Sequence, residues 1–298
     1  MDFEVIIIGG SYAGLSAALA LGRAKRNVLI IDSNKPCNKQ TPHSHNFLTH
    51  DGETPDEIST KSKAEVLKYP TIKFIDGEVA SARAVELGFE VVLSSGNKFS
   101  SRKILLASGL KDIMPDIIGF KECWGISVIH CPYCHGYEVK DEKVGLLLNG
   151  DMAFDMAKMV NHWNKEVAIL TNGPSNLSKE QTARLKSKSI NIIETELFEI
   201  AHKDGYLSRI IFDNGESIEL AAVYAKPKMV QHNNLYIDLN CEINENNLLV
   251  VDAFQKTTSK GVYAAGDCAT LFRALSAAIA AGTMAGAMMN KELIWEDF

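Results

Sequence analysis

One stretch near the N-terminus restricts the fold more than any other. Val5-Ile6-Ile7-Ile8 is a short β-branched run, Gly9-Gly10-Ser11-Tyr12-Ala13-Gly14 follows it, and Leu15 to Leu21 is rich in Ala and Leu. A second apolar run, Val28 to Ile31, ends in Asp32. Strand, glycine turn, helix, strand and terminal acid describe a dinucleotide-binding βαβ unit. In such a unit a pyrophosphate rests on the free amides and positive dipole end of the helix. Asp32, 18 residues after Gly14, is placed to accept from a ribose hydroxyl. Ser11 stands where the fingerprint has its second glycine and is small enough to let a ligand approach.

A second strand-turn-helix runs from Val144 to Met159 and leads into the strand Val167 to Leu170. Its architecture repeats the first, but its chemistry does not. Leu148 occupies the first glycine position, and the next strand ends in Thr171-Asn172-Gly173 with neither an acid nor an arginine cluster. A leucine side chain there is expected to fill the space that a pyrophosphate needs. Between the two units, Val91 to Leu93 and Ile104 to Ala107 read as strands, the second ending at Ser108-Gly109. The polar stretch Ser33 to His50 reads as a loop, its histidines lining a cofactor rather than holding a metal. Near the C-terminus, Gly261 to Asp267 is a strand running into a Gly-Asp turn, where Asp267 can bind a polyol hydroxyl.

Length and charge narrow the classes. A chain of 298 residues suggests two domains or one large α/β unit. Its 31 basic and 37 acidic residues give a net charge of −6, which offers no footprint for nucleic acid. Ala274 to Met289 is apolar but built from small residues, unlike a membrane span, and its Gly282 and Gly286 read as a close helix-packing pair. The acidic start, Met1-Asp2-Phe3-Glu4, does not resemble a signal peptide, so a soluble cytoplasmic protein is expected.

Six cysteines are too few for a disulfide scaffold, and Cys37, Cys123, Cys241 and Cys268 are read as small buried apolar residues. The remaining two lie in His130-Cys131-Pro132-Tyr133-Cys134-His135-Gly136-Tyr137. A c-type haem attachment would require export. Four metal ligands would be strained, because His130-Cys131 and Cys134-His135 are adjacent pairs. A redox-active dithiol beside a redox cofactor is the reading favoured, since C-x-x-C lowers one thiol pKa. His135 is then placed to shuttle the accompanying proton, with His45 and His50 as further carriers.

GGSYAG, Ala107-Ser108-Gly109, CPYC and Ala264-Ala265-Gly266-Asp267, in this order, resemble the low-molecular-weight thioredoxin reductase family of FAD-dependent disulfide oxidoreductases over essentially the whole chain. The resemblance implies an α/β fold of two Rossmann-like, three-layer ββα domains. The FAD domain would be discontinuous, residues 1–116 and 241–298, with an inserted domain, 117–240, carrying the cysteine pair. It implies FAD on Gly9, Gly10, Ser11, Ala13 and Gly14, with Asp32 on the adenosine ribose and Asp267 on the ribitol. Ser33, Asn38, His45, Asp51, Val79, Ser108, Gly109, Gly266 and Ala274 would complete that site. Cys134 would face the flavin and Cys131 would exchange with a dithiol or disulfide substrate, either a thioredoxin-like protein or a small thiol. Family members are typically homodimers.

Three departures point to a particular branch. His135 replaces the usual aspartate, Leu148 to Ala153 replaces the NADPH turn, and the loop Ser44 to Gly52 differs. The C-x-x-C-H-G-Y-E pattern resembles the branch that includes gliotoxin- and holomycin-type dithiol oxidases and reductases independent of pyridine nucleotide. The expectation is therefore dithiol chemistry on FAD without NADPH, with dioxygen or a protein carrier as the other partner. A conventional NADPH-dependent thioredoxin reductase is the alternative, and a non-catalytic flavoprotein redox sensor is a second.

Overall fold

Uninterrupted β-branched runs favour strands covered on both faces. The N-terminal run forms β1 (Phe3–Ile8), followed by α1 (Tyr12–Arg23) and β2 (Val28–Asp32). After these come α2 (Pro55–Val66), β3 (Ile72–Asp76), β4 (Val79–Val85), β5 (Gly88–Leu93), β6 (Lys98–Leu106) and β7 (Leu110–Ile113). The main sheet has the order β3-β2-β1-β6-β5-β4. β1 lies parallel to both neighbours, with Ile7 opposite Ile30 and Leu105. Val5, Ile6, Ile7, Ile30, Ile104 and Leu105 are fully buried, each contributing about 1.5–3 kcal/mol of apolar transfer.

The computed structural model describes residues 1–298 and resolves into two contact units. The first comprises Met1–Lys39, Asp56–Lys111 and Met229–Phe298, and the second comprises Gln40–Pro55 and Asp112–Lys228. In the second unit α3 (Phe120–Cys123), β8 (Val128–Ile129), α4 (Pro132–His135), β9 (Val144–Leu147), α5 (Gly150–Val160), β10 (Val167–Leu170), α6 (Lys179–Lys186) and β11 (Asn191–Ile193) precede β12 (Leu197–Lys203), β13 (Tyr206–Phe212), β14 (Ser217–Glu219) and β15 (Ala222–Ala225). A parallel sheet of order β11-β10-β9-β15-β8 stands beside the antiparallel ribbon β12-β13-β14.

The chain then forms β16 (Lys228–Gln231), which pairs with β7, then α7 (Leu235–Asp238), β17 (Val262–Ala264) and α8 (Leu275–Asp297). On the edge of β6 away from β1, Lys98 to Ser101 pair antiparallel with β5, and Ile104 to Leu106 pair parallel with β17. α8 packs on α1 through its small residues. A Cβ on Gly282 would lie 2.8 Å from the carbonyl carbon of Ala13, and one on Gly286 would lie 2.6 Å from the oxygen of Ala17. The Ser16 hydroxyl donates to the Ile279 carbonyl at 2.9 Å across the same seam. Farther along α8, the buried Lys103 ammonium pairs with Glu292 at 3.6 Å and with Glu296.

The α/β class and the Rossmann-like layering agree with expectation. Residues 229–240 cluster with the first unit and residues 40–55 with the second, whereas the expected domain limits assign them the other way round. One cysteine departs from expectation. Cys123, Cys241 and Cys268 are buried, but Cys37 is exposed, in the largely polar, exposed loop Asn34 to Gln40 that follows β2. No helix is long and apolar enough to cross a membrane.

Candidate active site

The first glycine turn joins β1 to α1. Gly9 has φ +108°, and a Cβ there would lie 2.6 Å from the Ala107 carbonyl carbon, so only glycine fits. The Gly10 amide donates to Asp32 Oδ2 at 2.5 Å and the Asn34 amide donates to Oδ1 at 2.7 Å. Asp32 therefore ties the turn to the end of β2. Ser11 is the N-cap of α1 but makes no side-chain cap bond, and the first helical turn holds no acid. That terminus can receive an anion. Ala13 and Gly14 are buried in the first turn of the helix, and Gly14 packs against Gly9 and Ile7.

Other residues expected at this site distribute as follows. Asn38 hydrogen-bonds the phenol of Tyr12, whose pKa is raised, mainly by burial. Ser33 is exposed, while Ser108 and Gly109 are half-buried where β6 ends. Nothing stands within 4 Å of a Cβ on Gly109. Val79 is buried at the start of β4, in the core with Leu93 and Ile31. Gly266 turns the chain after β17 at φ +85° and abuts Ala13. Asp267 Oδ2 accepts from Arg273 Nε at 3.0 Å, a partner that the sequence reading missed. Arg273 lies six residues beyond the acid, outside any periodic pattern. Ala274 is the N-cap of α8 and, like Ser11, makes no side-chain cap bond.

The second glycine turn is closed on itself. Leu148 corrects the expectation: its side chain is buried among Val144, Leu146, Ala153 and Tyr224 rather than projecting over the turn. Asn149 occupies the turn instead. Its Oδ1 accepts from the amides of Gly150 and Asn176, both at 2.8 Å, and its Nδ2 donates to the Pro174 carbonyl at 2.9 Å. The α5 amide that would meet a phosphate is thus already bonded. Asp151 adds a negative charge in the first turn of α5 and accepts from Gln181 Nε2 at 2.7 Å.

The cysteine pair lies in the second unit. Cys131 and Cys134 form a disulfide with Cα atoms 5.3 Å apart. Cys131 caps α4, whose Pro132 stands at the first position, where a missing amide costs nothing. His130 stacks on Trp124, and Tyr133 meets the edge of Trp163. Burial pushes the pKa of His135 down, the Glu138 charge partly offsets this, and His45 adds to the lowering. His45 Nε2 is 3.5 Å from Glu138 Oε1, and its Nδ1 is 3.7 Å from Asp51 Oδ1. His45 and Asp51 thus belong to the unit of the disulfide rather than to that of the Gly9 turn. His43 bonds the Gly52 carbonyl and His50 faces Glu53. Tyr224 Oη, buried beneath the turn, lies 3.1 Å from where a Gly136 Cβ would stand, and its pKa is pushed up to about 12 by burial and then by Glu138.

An open nucleotide turn in one Rossmann-like unit and a C-x-x-C disulfide in the other define a nucleotide-cofactor disulfide oxidoreductase. Residues 3–284 match the pyridine nucleotide-disulphide oxidoreductases, and the chain belongs to that family. It is an enzyme acting on disulfides, and its cofactor is FAD. It is 36% identical to an oxidoreductase from Agrobacterium tumefaciens, with a TM-score of 0.93 and 99% of both chains covered. It is 32% identical to HlmI, with a TM-score of 0.93, over 99% of this chain and 94% of that one. Thioredoxin reductase aclD of Aspergillus oryzae is 29% identical over 99% of this chain and 98% of its own length.

Proposed function

We propose that the protein is an FAD-dependent dithiol-disulfide oxidoreductase that works without NADPH, with dioxygen or a protein electron carrier as the terminal partner. The observation that carries this reading is Asn149, whose Oδ1 takes the Gly150 amide of the turn that pyridine nucleotide would need and ties it to the Asn176 amide of the following loop. No arginine or lysine replaces the missing basic cluster at Thr171-Asn172-Gly173. By contrast, the Gly9 to Gly14 turn, with no side chain capping α1, fits a pyrophosphate. Asp32 would stand at a ribose, and Asp267, held by Arg273, at the ribitol.

Bound FAD supplies a two-electron acceptor for the reduced cysteine pair. The chain's own chemistry is thiol-disulfide exchange. A substrate thiolate attacks the Cys131 sulfur and Cys134 leaves as thiolate. The second substrate thiol then attacks the mixed disulfide, so the substrate leaves oxidised and both cysteines leave reduced. His135, kept neutral by its burial, takes a substrate proton. The substrate is a dithiol, whether a small thiol or a thioredoxin-like protein, and the working form is a homodimer.

The test is anaerobic mixing of the FAD-loaded protein with NADPH, NADH or a dithiol. Only the dithiol is expected to bleach the flavin absorbance, and Cys134→Ser is expected to abolish that bleaching while retaining FAD. Rapid bleaching by NADPH or NADH would restore a conventional thioredoxin reductase. Unchanged bleaching in Cys134→Ser would remove the cysteine pair from the reaction.

A further inference from the structure

We propose that the loop of residues 40–55 tunes His135 through an acid-histidine pair, Glu138 and His45, which makes both of them positioning residues for the dithiol reaction. This rests on the reading of His135 as proton acceptor. Glu138 lies three residues beyond His135 and is the first carboxylate after the redox turn along the chain. His45 reaches it from the loop, 3.5 Å from Nε2 to Oε1, and is held on its other side by Asp51 at 3.7 Å. Ser44, buried next to it, anchors the loop through reciprocal backbone bonds, its amide to the Glu53 carbonyl and its carbonyl to the Gly52 amide. His45 is therefore carried by a braced loop rather than a free one.

The charged and titratable groups acting on His135 come from two places, Glu138 from its own segment and His45 with Asp51 behind it from the loop, while Tyr224 of β15 lies under Gly136 and senses Glu138. Glu138 and His45 act on His135 with opposite sign. Glu138 favours the imidazolium of His135, and His45 opposes it while also engaging the Glu138 carboxylate at 3.5 Å. The substrate proton therefore moves onto a base whose strength is set by a second histidine, without any contact between that histidine and the sulfurs being required. Tyr224, still protonated at neutral pH, contributes a dipole but no charge there.

The experiment compares wild type, Glu138→Gln, His45→Gln and Glu138→Asp, each loaded with FAD. The first measurement is the pH dependence of flavin bleaching by dithiothreitol under anaerobic conditions. The second is an NMR titration of the His135 imidazole. In Glu138→Gln the acid limb and the His135 titration are expected to move to lower pH by about half a unit, roughly threefold in rate on that limb. In His45→Gln both are expected to move to higher pH. Glu138→Asp is expected to restore most of the wild-type profile. Coincident profiles, or shifts of both variants in one direction, would overturn the proposal. Failure of wild type to be reduced by the dithiol would sink the functional reading instead, and the NMR titration would still decide whether the three groups are coupled.

Discussion

Substituting Gly282 by Ala tests whether the cofactor turn is braced from behind. The new Cβ would lie 2.8 Å from the Ala13 carbonyl carbon and closer still to its oxygen. Both obstacles are helix backbone, which cannot rotate aside. Non-bonded carbons settle at about 3.5–4.0 Å, so α8 and α1 must part by roughly 1 Å. Overpacking of this kind costs about 2–3 kcal/mol. The better helix propensity of Ala returns about 1 kcal/mol. A net loss of about 1–2 kcal/mol remains, equivalent to a fall of roughly 3–6 °C in melting temperature. Because Ala13 belongs to the Gly9 to Gly14 turn, the variant should also release FAD more readily. The assay is thermal melting with and without added FAD, together with flavin content after gel filtration. Ala280→Gly, exposed on the same helix, is the control: it loses about 1 kcal/mol of helix propensity but keeps its FAD. A Gly282→Ala protein as stable as wild type, with full flavin content, would refute the close packing of α8 on α1.

Asn149→Ala should cost about 2 kcal/mol through loss of the cap and the Asn176 bond, read by thermal melting. It should still leave NADPH unable to bleach the flavin, because the basic cluster remains absent. Tyr224→Phe should raise stability by about 1 kcal/mol at neutral pH, since Tyr224 Oη is buried without a hydrogen-bond partner. With the folded phenol at about 12 against 10 unfolded, the unfolded chain loses this proton first, so the penalty at Tyr224 is constant below pH 10 and grows as pH rises from 10 through 12. Urea unfolding across that window should show wild type losing stability relative to Tyr224→Phe, and parallel curves would contradict it. Lys103→Met should cost about 1–2 kcal/mol, less than breaking a fully buried pair, because Glu292 keeps the Tyr263 hydroxyl and Lys256 at 3.7 Å and Glu296 stays partly solvated. An unchanged denaturation midpoint would show that the ammonium contributes nothing.

Legibility in the sequence followed the range of the interactions. β1, α1 and β2 announce themselves because β-branched runs, a glycine turn and an Ala/Leu helix are local signals. The C-x-x-C pair is local for the same reason, and so is the Gly282/Gly286 stripe on α8. Asn149 was not legible as the group closing the second turn, because its partner Asn176 comes 27 residues later. Leu148 drew attention instead, although strand alternation turns its side chain into the core. Glu138 was visible inside the C-H-G-Y-E motif, but its meaning depends on His45 from a loop far upstream. Arg273 was passed over because nothing in its own neighbourhood marks it as the partner of Asp267. The ribbon β12-β13-β14 lay outside the reading because its pairing is defined by register across turns rather than by composition.

The packing of α8 against α1 also sets an order of events during synthesis. Gly282 and Gly286 leave the ribosome roughly 270 residues after Ala13. The parallel partner that β17 gives to β6 is equally late. Residues 112–228 emerge in between and can close their own parallel sheet while the first glycine turn still lacks its backing helix. The first glycine turn thereby waits for α8 to be made, and a nascent chain truncated before α8 has a complete disulfide-bearing unit and a first unit without its backing helix.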